Sequence, residues 1–425
     1  IDTTGISVTD DTHLSFLAWG DVAAVEECLS RVPLVPRSVW NALSGMEYTT
    51  SGIPKDAAQA RASLSSLVPT AETMTGSGLY IWEKYENGVL TLRRNDDYWN
   101  GTARAEIVEL HFGCANLAAA MENNALDASW NLSKSAVEAL AEGRSTAYGT
   151  SGELLLVEFN QRTDKASRGN PLLRDKTVRE AITLCADRET LALTGFGGAL
   201  PAYGFSIPYG TDGSAAAVCS AESAAALLES AGYTDADGDG VRESPEGERL
   251  SFRILCSDSS TAWVRAANLL KDMCSGAGIA LEITVLSPDK ALAAAEEGDF
   301  DLFLTASQSY YDAYLSLAPF YWNGGNGAFW NGAASPGWNI SGYENAGFDT
   351  LYEELTFAAS SERDAMEAQL ESIVLDDFAA LPIAFAAKNQ ACSGAWLNLR
   401  ADHGEGLFFT PAILRQQLQG MTNGR

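Results

Sequence analysis

The chain's densest set of hard oxygen donors lies in twelve residues, Asp235-Ala236-Asp237-Gly238-Asp239-Gly240-Val241-Arg242-Glu243-Ser244-Pro245-Glu246. Their spacing fits a calcium loop. Asp235, Asp237 and Asp239 would supply carboxylates at positions one, three and five, Gly240 the sharp bend, Val241 a carbonyl, Glu243 a direct or water-bridged contact, and Glu246 a bidentate carboxylate. The same residues also make a solvated turn in which glycines bend the chain and aspartates cap it. Both readings stand at this level. Because a helix pattern precedes the loop and a strand pattern follows, a bound calcium ion would be structural, and no other cofactor is called for.

A second cluster is aromatic. Tyr310, Tyr311 and Tyr314, then Tyr321, Trp322, Phe329 and Trp330, and finally Trp338 keep neither helical nor strand periodicity, and are interleaved with Gly324, Gly325, Gly327, Asn323, Asn326 and Asn339. Flat side chains with amides and glycines, on a loop that follows a strand, suit the wall of a ligand pocket. The alternative is a long loop folded over its own aromatic core. Ser307, Ser309, Tyr310, Asp312, Trp330 and Asn339 are the candidate ligand contacts on this side. Trp130 is the candidate from an earlier part of the chain, with plain core packing as its alternative.

Catalytic motifs are missing. His13, His111 and His403 stand too far apart for a helix-borne metal pair, and neither a GxSxG elbow nor a phosphate-binding GxxxxGK loop occurs. A hydrolase would have to assemble two facing carboxylates in space. The 28 basic residues against 56 acidic ones give a net charge of −28, which repels nucleic acid and anionic lipid. No apolar run reaches the roughly eighteen residues of a membrane span. Seven cysteines, none in a CxxC pair, read as small buried hydrophobes more readily than as a disulfide framework.

The elements that must position these groups come in two stretches. From Ile6 to about Glu153 the signals are short strands and turns, with a hairpin about Asn87-Gly88. From Leu154 onward strands alternate with helices: strands at 154–160, 250–256, 279–286 and 300–304, and helices at 223–231, 263–274 and 287–297, which predicts a largely parallel α/β sheet. Thr177 and Glu180 form a capping box ahead of an apolar helical face. Two more helices follow Gly342, and 381–385 reads as a returning strand. The segment after Leu304 should lie at a strand's carboxyl end, where open sheets take ligands.

Four segments then occur in one order: Gly76-Ser77-Gly78-Leu79-Tyr80, Arg94-Asn95-Asp96-Asp97-Tyr98-Trp99, Val178-Arg179-Glu180-Ala181-Ile182, and Gly342-Tyr343-Glu344-Asn345-Ala346-Gly347-Phe348-Asp349. Their order and spacing, between about Val35 and Pro382, resemble the peptide/nickel-type family 5 extracellular solute-binding proteins of ABC importers. The resemblance implies a type II periplasmic-binding-protein-like α/β fold with two lobes around a cleft. Residues 1–155 with 390–425 would form one lobe and 156–389 the other. It also implies that Ile1 corresponds to an internal point of the family fold, with the family's N-terminal part lacking.

Function would follow from closure of the lobes on a peptide or similar small polar solute, without breaking a bond. The partners implied are a membrane permease and its ATPases. The location implied is the periplasm or the outer face of the cytoplasmic membrane, at most through a lipid anchor. Peptide binders of this family carry an aspartate where Ser309 stands, so the counter-charge for a peptide's ammonium is missing at that position. An oligosaccharide is therefore the rival solute, while three histidines make nickel a poor one.

Overall fold

A computed structural model describes residues 6–10, 13–16, 74–103, 105–114, 116–140, 144–147, 149–206, 219–308, 313–321, 339–355, 357–393, 396–397 and 413–414. The chain divides into two compact units, residues 25–123 and residues 1–24 with 124–425. Near the start, β1 (Ile6–Asp10) pairs antiparallel with β2 (His13–Phe16).

In the smaller unit, β3 (Tyr80–Glu86), β4 (Val89–Arg94) and β5 (Ile107–His111) form an antiparallel sheet, followed by the short helix α1 (Leu117–Glu122). The β3–β4 turn has φ of 51° at Asn87 and 76° at Gly88. Positive φ at both central residues is what a tight hairpin following the strands' twist needs. Two of the four family-like segments meet here: Asn95 donates from its amide nitrogen to the Gly78 carbonyl at 2.9 Å and from its backbone to Leu79 at 3.0 Å. The glycine-rich turn and the hairpin exit are thus one hydrogen-bonded unit.

In the larger unit, β6 (Ala128–Leu132), α2 (Lys134–Leu140) and β7 (Arg144–Ala147) lead into the long strand β8 (Thr150–Phe159). Then come α3 (Lys176–Cys185), β9 (Leu200–Pro201), α4 (Ala221–Ser230), β10 (Ser251–Ser257), α5 (Thr261–Ser275), β11 (Ala280–Leu286), α6 (Pro288–Glu296) and β12 (Leu302–Gln308). The last described segments of this unit include α7 (Ala313–Leu317), α8 (Ala346–Leu355), α9 (Ser360–Asp376), β13 (Ala380–Ala387) and β14 (Asn389–Ser393).

Six strands form one sheet in the order β11-β10-β12-β8-β13-β9, while β6, β14 and β7 form another. The expectation of largely parallel pairing needs correcting. Among the described strands only β10 pairs in parallel, with β11 and β12; β8 runs antiparallel to both β12 and β13, and β9 antiparallel to β13. The α/β alternation from 250 to 308 builds the parallel part, whereas β8 and β13 enter from distant parts of the chain and are free to run the other way.

β8 is covered on both faces, which is why Leu154 to Phe159 reads as a near-continuous apolar run. Leu155, Val157 and Phe159 pack with α3, α4 and α5, while Leu154 and Leu156 pack with Phe205, Phe320, Phe348 and α9.

The helix start at α3 also differs from expectation. Asp175, not Thr177, is the cap: its carboxylate accepts from the Thr177 amide at 2.9 Å. The buried residues Val178, Ala181, Ile182 and Cys185 keep the i, i+3, i+4, i+7 pattern of a core-facing stripe. All six cysteines in the described residues are free, four of them buried and two exposed. Among the described residues no helix is long and apolar enough to cross a membrane.

Candidate functional site

The strand that carries the solute-site candidates runs further than its sequence pattern. β12 continues to Gln308 because β8 offers a ladder that long, with Thr305 opposite Leu156, Ser307 opposite Leu154 and Gln308 opposite Glu153. Ser307 therefore lies inside the strand rather than on the loop after it. Facing residues of an antiparallel pair share a side of the sheet, so Ser307 is on the face of Leu154, Leu156 and Glu158.

On this face lies a narrow slot walled by Leu154, Leu156, Phe205 and Phe320, with Ser307 and Glu158 among its lining residues. It has room for about one water molecule. Glu158 is only 8% exposed. Burial pushes its carboxyl up to about 7, since a charged oxygen loses hydration there and gains no compensating partner among the described residues.

Helix α9 braces both chain segments over the slot. Glu371, also raised by burial to about 7, accepts from the backbone amides of Phe205 and Ser206 and from the Ser206 hydroxyl at 3.2 Å. One and two turns earlier, Glu367 and Arg363 form a buried ion pair at 3.1 Å, and the Ala313 amide donates to Glu367 at 3.4 Å. A buried charge without a partner costs far more than one that is paired and hydrogen-bonded, so these carboxylates hold residues 205–206 and the start of α7 in place.

The other candidates have separate surroundings. Trp130 is half-buried on β6, in the three-stranded sheet rather than the six-stranded one. Ser309, Tyr310, Asp312 and Trp330 lie outside the described residues. Asn339 is 1% exposed and its amide closes a turn: it donates to the Tyr343 carbonyl at 2.8 Å and accepts from the Gly342 and Tyr343 amides at 2.9 and 3.2 Å. That position fits a turn-closing residue rather than a solute contact. Part of the aromatic stretch is likewise internal packing, since Tyr314 and Tyr321 stack on Tyr352 with centroids 4.4 and 4.9 Å apart.

In the acidic loop, Asp235, Asp237 and Asp239 each place an oxygen within 4.8 Å of the others. Ligands about 2.3–2.6 Å from a calcium ion span that distance. The Asp235 carboxylate accepts from the Gly238 and Gly240 amides at 2.8 and 3.0 Å. Asp237 and Asp239 accept from Asp239 and Val241 at 3.1 and 2.9 Å. Arg249 reaches Asp239 at 2.5 Å and Asp237 at 3.8 Å, a fixed cation beside the same oxygens.

Glu243 and Glu246 stand apart from this trio. Glu243 accepts from the Ala236 amide at 2.9 Å and Glu246 from the Ser244 hydroxyl at 3.2 Å. Three of the six candidate ligands thus converge, and a calcium ion would have to draw in the Val241 carbonyl and the two glutamates.

Sequence reading missed Glu158, Glu367 and Glu371. Glu158 left a signal, a single acid inside the otherwise apolar strand Leu154-Leu155-Leu156-Val157-Glu158-Phe159. The other two left none, because acids are common on a helix and only the tertiary fold buries these.

Residues 35–328 match the model of the bacterial extracellular solute-binding proteins, family 5 Middle. No match is found among curated proteins. Among solved structures, the chain is similar to the oligopeptide-binding protein AppA of Bacillus subtilis in complex with a nonapeptide, at 18% identity and a TM-score of 0.67, covering 96% of this chain and 75% of that one. A putative peptide-binding AppA from Clostridium difficile gives 16% identity and a TM-score of 0.69, with coverages of 92% and 74%. NikZ from Campylobacter jejuni in complex with Ni(L-His) gives 16% and 0.66, with coverages of 96% and 76%. These likenesses show a fold of the type II periplasmic-binding kind, and with the family match over most of its length the chain belongs to the bacterial extracellular solute-binding proteins, family 5.

Proposed function

We propose that this protein is the extracytoplasmic solute-binding component of an ABC importer, and that its solute is a short peptide or a similarly small polar compound. The family match over residues 35–328 carries this reading. Structures of similar fold hold a nonapeptide in one case and Ni(L-His) in another, and the three histidines of this chain make nickel the poorer fit. No bond is broken in this role: binding excludes water, and outside the cytoplasmic membrane the loaded form meets a permease that its ATPases drive from the other side.

A division into lobes near residues 155 and 390 belongs to the same proposal. It is supported by the segregation of β6, β7 and β14 into one sheet and of β8 to β13 into the other. The solute would contact the end of β12 at Ser307 and the segment after it. Calcium at Asp235, Asp237 and Asp239 would stiffen the connection from α4 to β10, away from the solute.

Calorimetry of the full chain against a pool of short peptides and a set of oligosaccharides tests the proposal. Saturable peptide binding that Ser307→Trp abolishes is the expected result. Saturable binding of an oligosaccharide alone, or of nothing, overturns the peptide reading.

A further inference from the structure

Glu158 is the one acid in the apolar run from Leu154 to Phe159 of β8, and among the described residues no side chain answers it. Its neighbours on that face, Leu154 and Leu156, are apolar, and the residues opposite it on β12 and β13 are Phe303 and Ala380. Among the described residues no donor and no cation reaches its carboxylate. Glu371 and Glu367 offer a contrast, since both are buried on α9 and both are answered by amides, a hydroxyl or an arginine. A buried carboxylate left unanswered costs the fold stability and is retained most readily where something else completes it.

The slot that Glu158 lines gives the shape of that something. Its lining residues are spread along β8 from Leu154, opposite Ser307, to Glu158, four residues or about 13 Å at about 3.3 Å per residue, so an arm behind the head must widen the slot as it enters. Its walls are aliphatic and aromatic, and its free space is that of about one water molecule. An ammonium head is of that size. A planar guanidinium is wider, and an anion would meet the carboxylate. Methylenes suit the leucine and phenylalanine walls, while the Ser307 hydroxyl on the lining offers a polar contact along the way. The strongly acidic chain also raises the local concentration of cations.

We infer that the slot is a cation subsite: a primary ammonium on an unbranched arm of the solute enters past Ser307 and pairs with Glu158. This rests on the proposed function for the solute's approach along β12, and it adds the solute's chemical class. Entry must part Phe205 from Phe320, whose rings pack edge-to-face with centroids 4.8 Å apart. The pair replaces a protonated acid by an ion pair, so in weakly acid solution each amine taken up displaces one proton from Glu158 to the buffer.

Calorimetry of the full chain with n-pentylamine, with n-pentanol as its neutral counterpart, tests this directly. The wild type should bind the amine and not the alcohol, and at pH 6 should release a proton, seen as heats that differ between buffers of different ionisation enthalpy. Glu158→Gln, which removes a buried charge and should fold, should bind the amine about ten- to a hundred-fold more weakly. Glu158→Asp should retain part of the affinity.

Equal amine binding by wild type and Glu158→Gln, equal binding of amine and alcohol, or no amine binding by the wild type at pH 8 overturns the subsite. Tri-alanine and acetyl-capped tri-lysine extend the test to solutes, and a preference that Glu158→Gln abolishes tells whether a terminal or a side-chain ammonium is seated. If n-pentylamine binds through Glu158 while no peptide binds, the subsite stands and the peptide reading falls.

Discussion

Arg179 and Tyr343 converge on Asp377: the Arg179 guanidinium donates to the Asp377 carbonyl at 2.7 Å, and the Tyr343 hydroxyl donates to the Asp377 carboxylate at 2.7 Å. Arg179 also donates to the Phe378, Leu173 and Arg174 carbonyls at 2.9, 3.0 and 3.0 Å, and Asn345 donates to the Asp377 carboxylate at 2.7 Å. The two later family-like segments, far apart in the chain, are therefore two halves of one polar junction at the end of α9.

The first prediction concerns that junction. Arg179→Met removes a buried fork and leaves four carbonyls short of a donor, so the unfolding free energy should fall by about 3 kcal/mol. Arg179→Lys should recover little, because a lysine cannot serve the same fork of acceptors. Urea denaturation of the three proteins measures this. A loss below about 1 kcal/mol in Arg179→Met would mean that water replaces the guanidinium without cost.

Glu158 and Glu371 give the protein a pH dependence with a definite sign. Both have folded-state pKa values of about 7 against an ordinary 4.5, so between these limits the folded chain holds protons that the unfolded chain has released. Stability should fall as pH rises through that window, by up to roughly 3 kcal/mol for each group. Two groups act in the opposite sense at lower pH. Asp187 is held down chiefly by the Thr190 hydroxyl, and Asp164, though burial opposes it, by the Arg162 guanidinium; their contributions are lost as pH drops below about 4. Maximum stability should thus lie near pH 5, and Glu158→Gln should flatten the decline from 5 to 8. A melting profile that rises from pH 5 to 8 in the wild type would contradict this.

Glycine at 342 is required twice over. Its φ is +70°, and a Cβ there would stand 2.6 Å from Arg162 Cγ and 2.8 Å from Arg162 Cα. The Arg162 guanidinium cannot move aside easily, since it is buried against Asp164 at 2.8 Å and the Glu296 carbonyl at 2.9 Å. Gly342→Ala should cost about 2–4 kcal/mol, from positive-φ strain and the forced displacement of backbone. Thermal denaturation checks it, and an unchanged midpoint would show that the turn relaxes.

What was legible in the sequence follows from this geometry. The four segments carried the family because each serves the backbone: Asn95 ties the Gly78 turn, Arg179 caps carbonyls, and Asn345 caps α8 through the Gly347 and Phe348 amides at 2.9 and 3.0 Å. Helix and strand positions from 221 to 308 were readable from periodicity. The reversal of β8 and β13 was not, since strand direction depends on partners distant in sequence. The cap on α3 misled because Thr177 and Glu180 imitate a capping box two residues into a helix that Asp175 already starts. Asn339 looked like a ligand amide, and its use in closing a turn appears only when Tyr343 folds back onto it.

The acidic loop supplies the last prediction. Asp235, Asp237 and Asp239 already converge within 4.8 Å, so a calcium ion would find three carboxylates in place and would have to compete with Arg249, which sits on Asp239 at 2.5 Å. Binding only to the folded chain stabilises by RT ln(1 + [L]/Kd), about 2.7 kcal/mol at a hundredfold excess over Kd. Excess calcium should therefore raise the melting temperature, chelator should lower it again, and Asp239→Ala should abolish the difference. Arg249→Gln should sharpen the calcium response, since the competing cation is gone while the carboxylates remain. Magnesium should do less, because it holds its water more tightly and demands a smaller octahedral site. Superimposable melts in calcium and chelator, for both the wild type and Arg249→Gln, would show that the loop is a hydrogen-bonded turn whose aspartates serve its own amides.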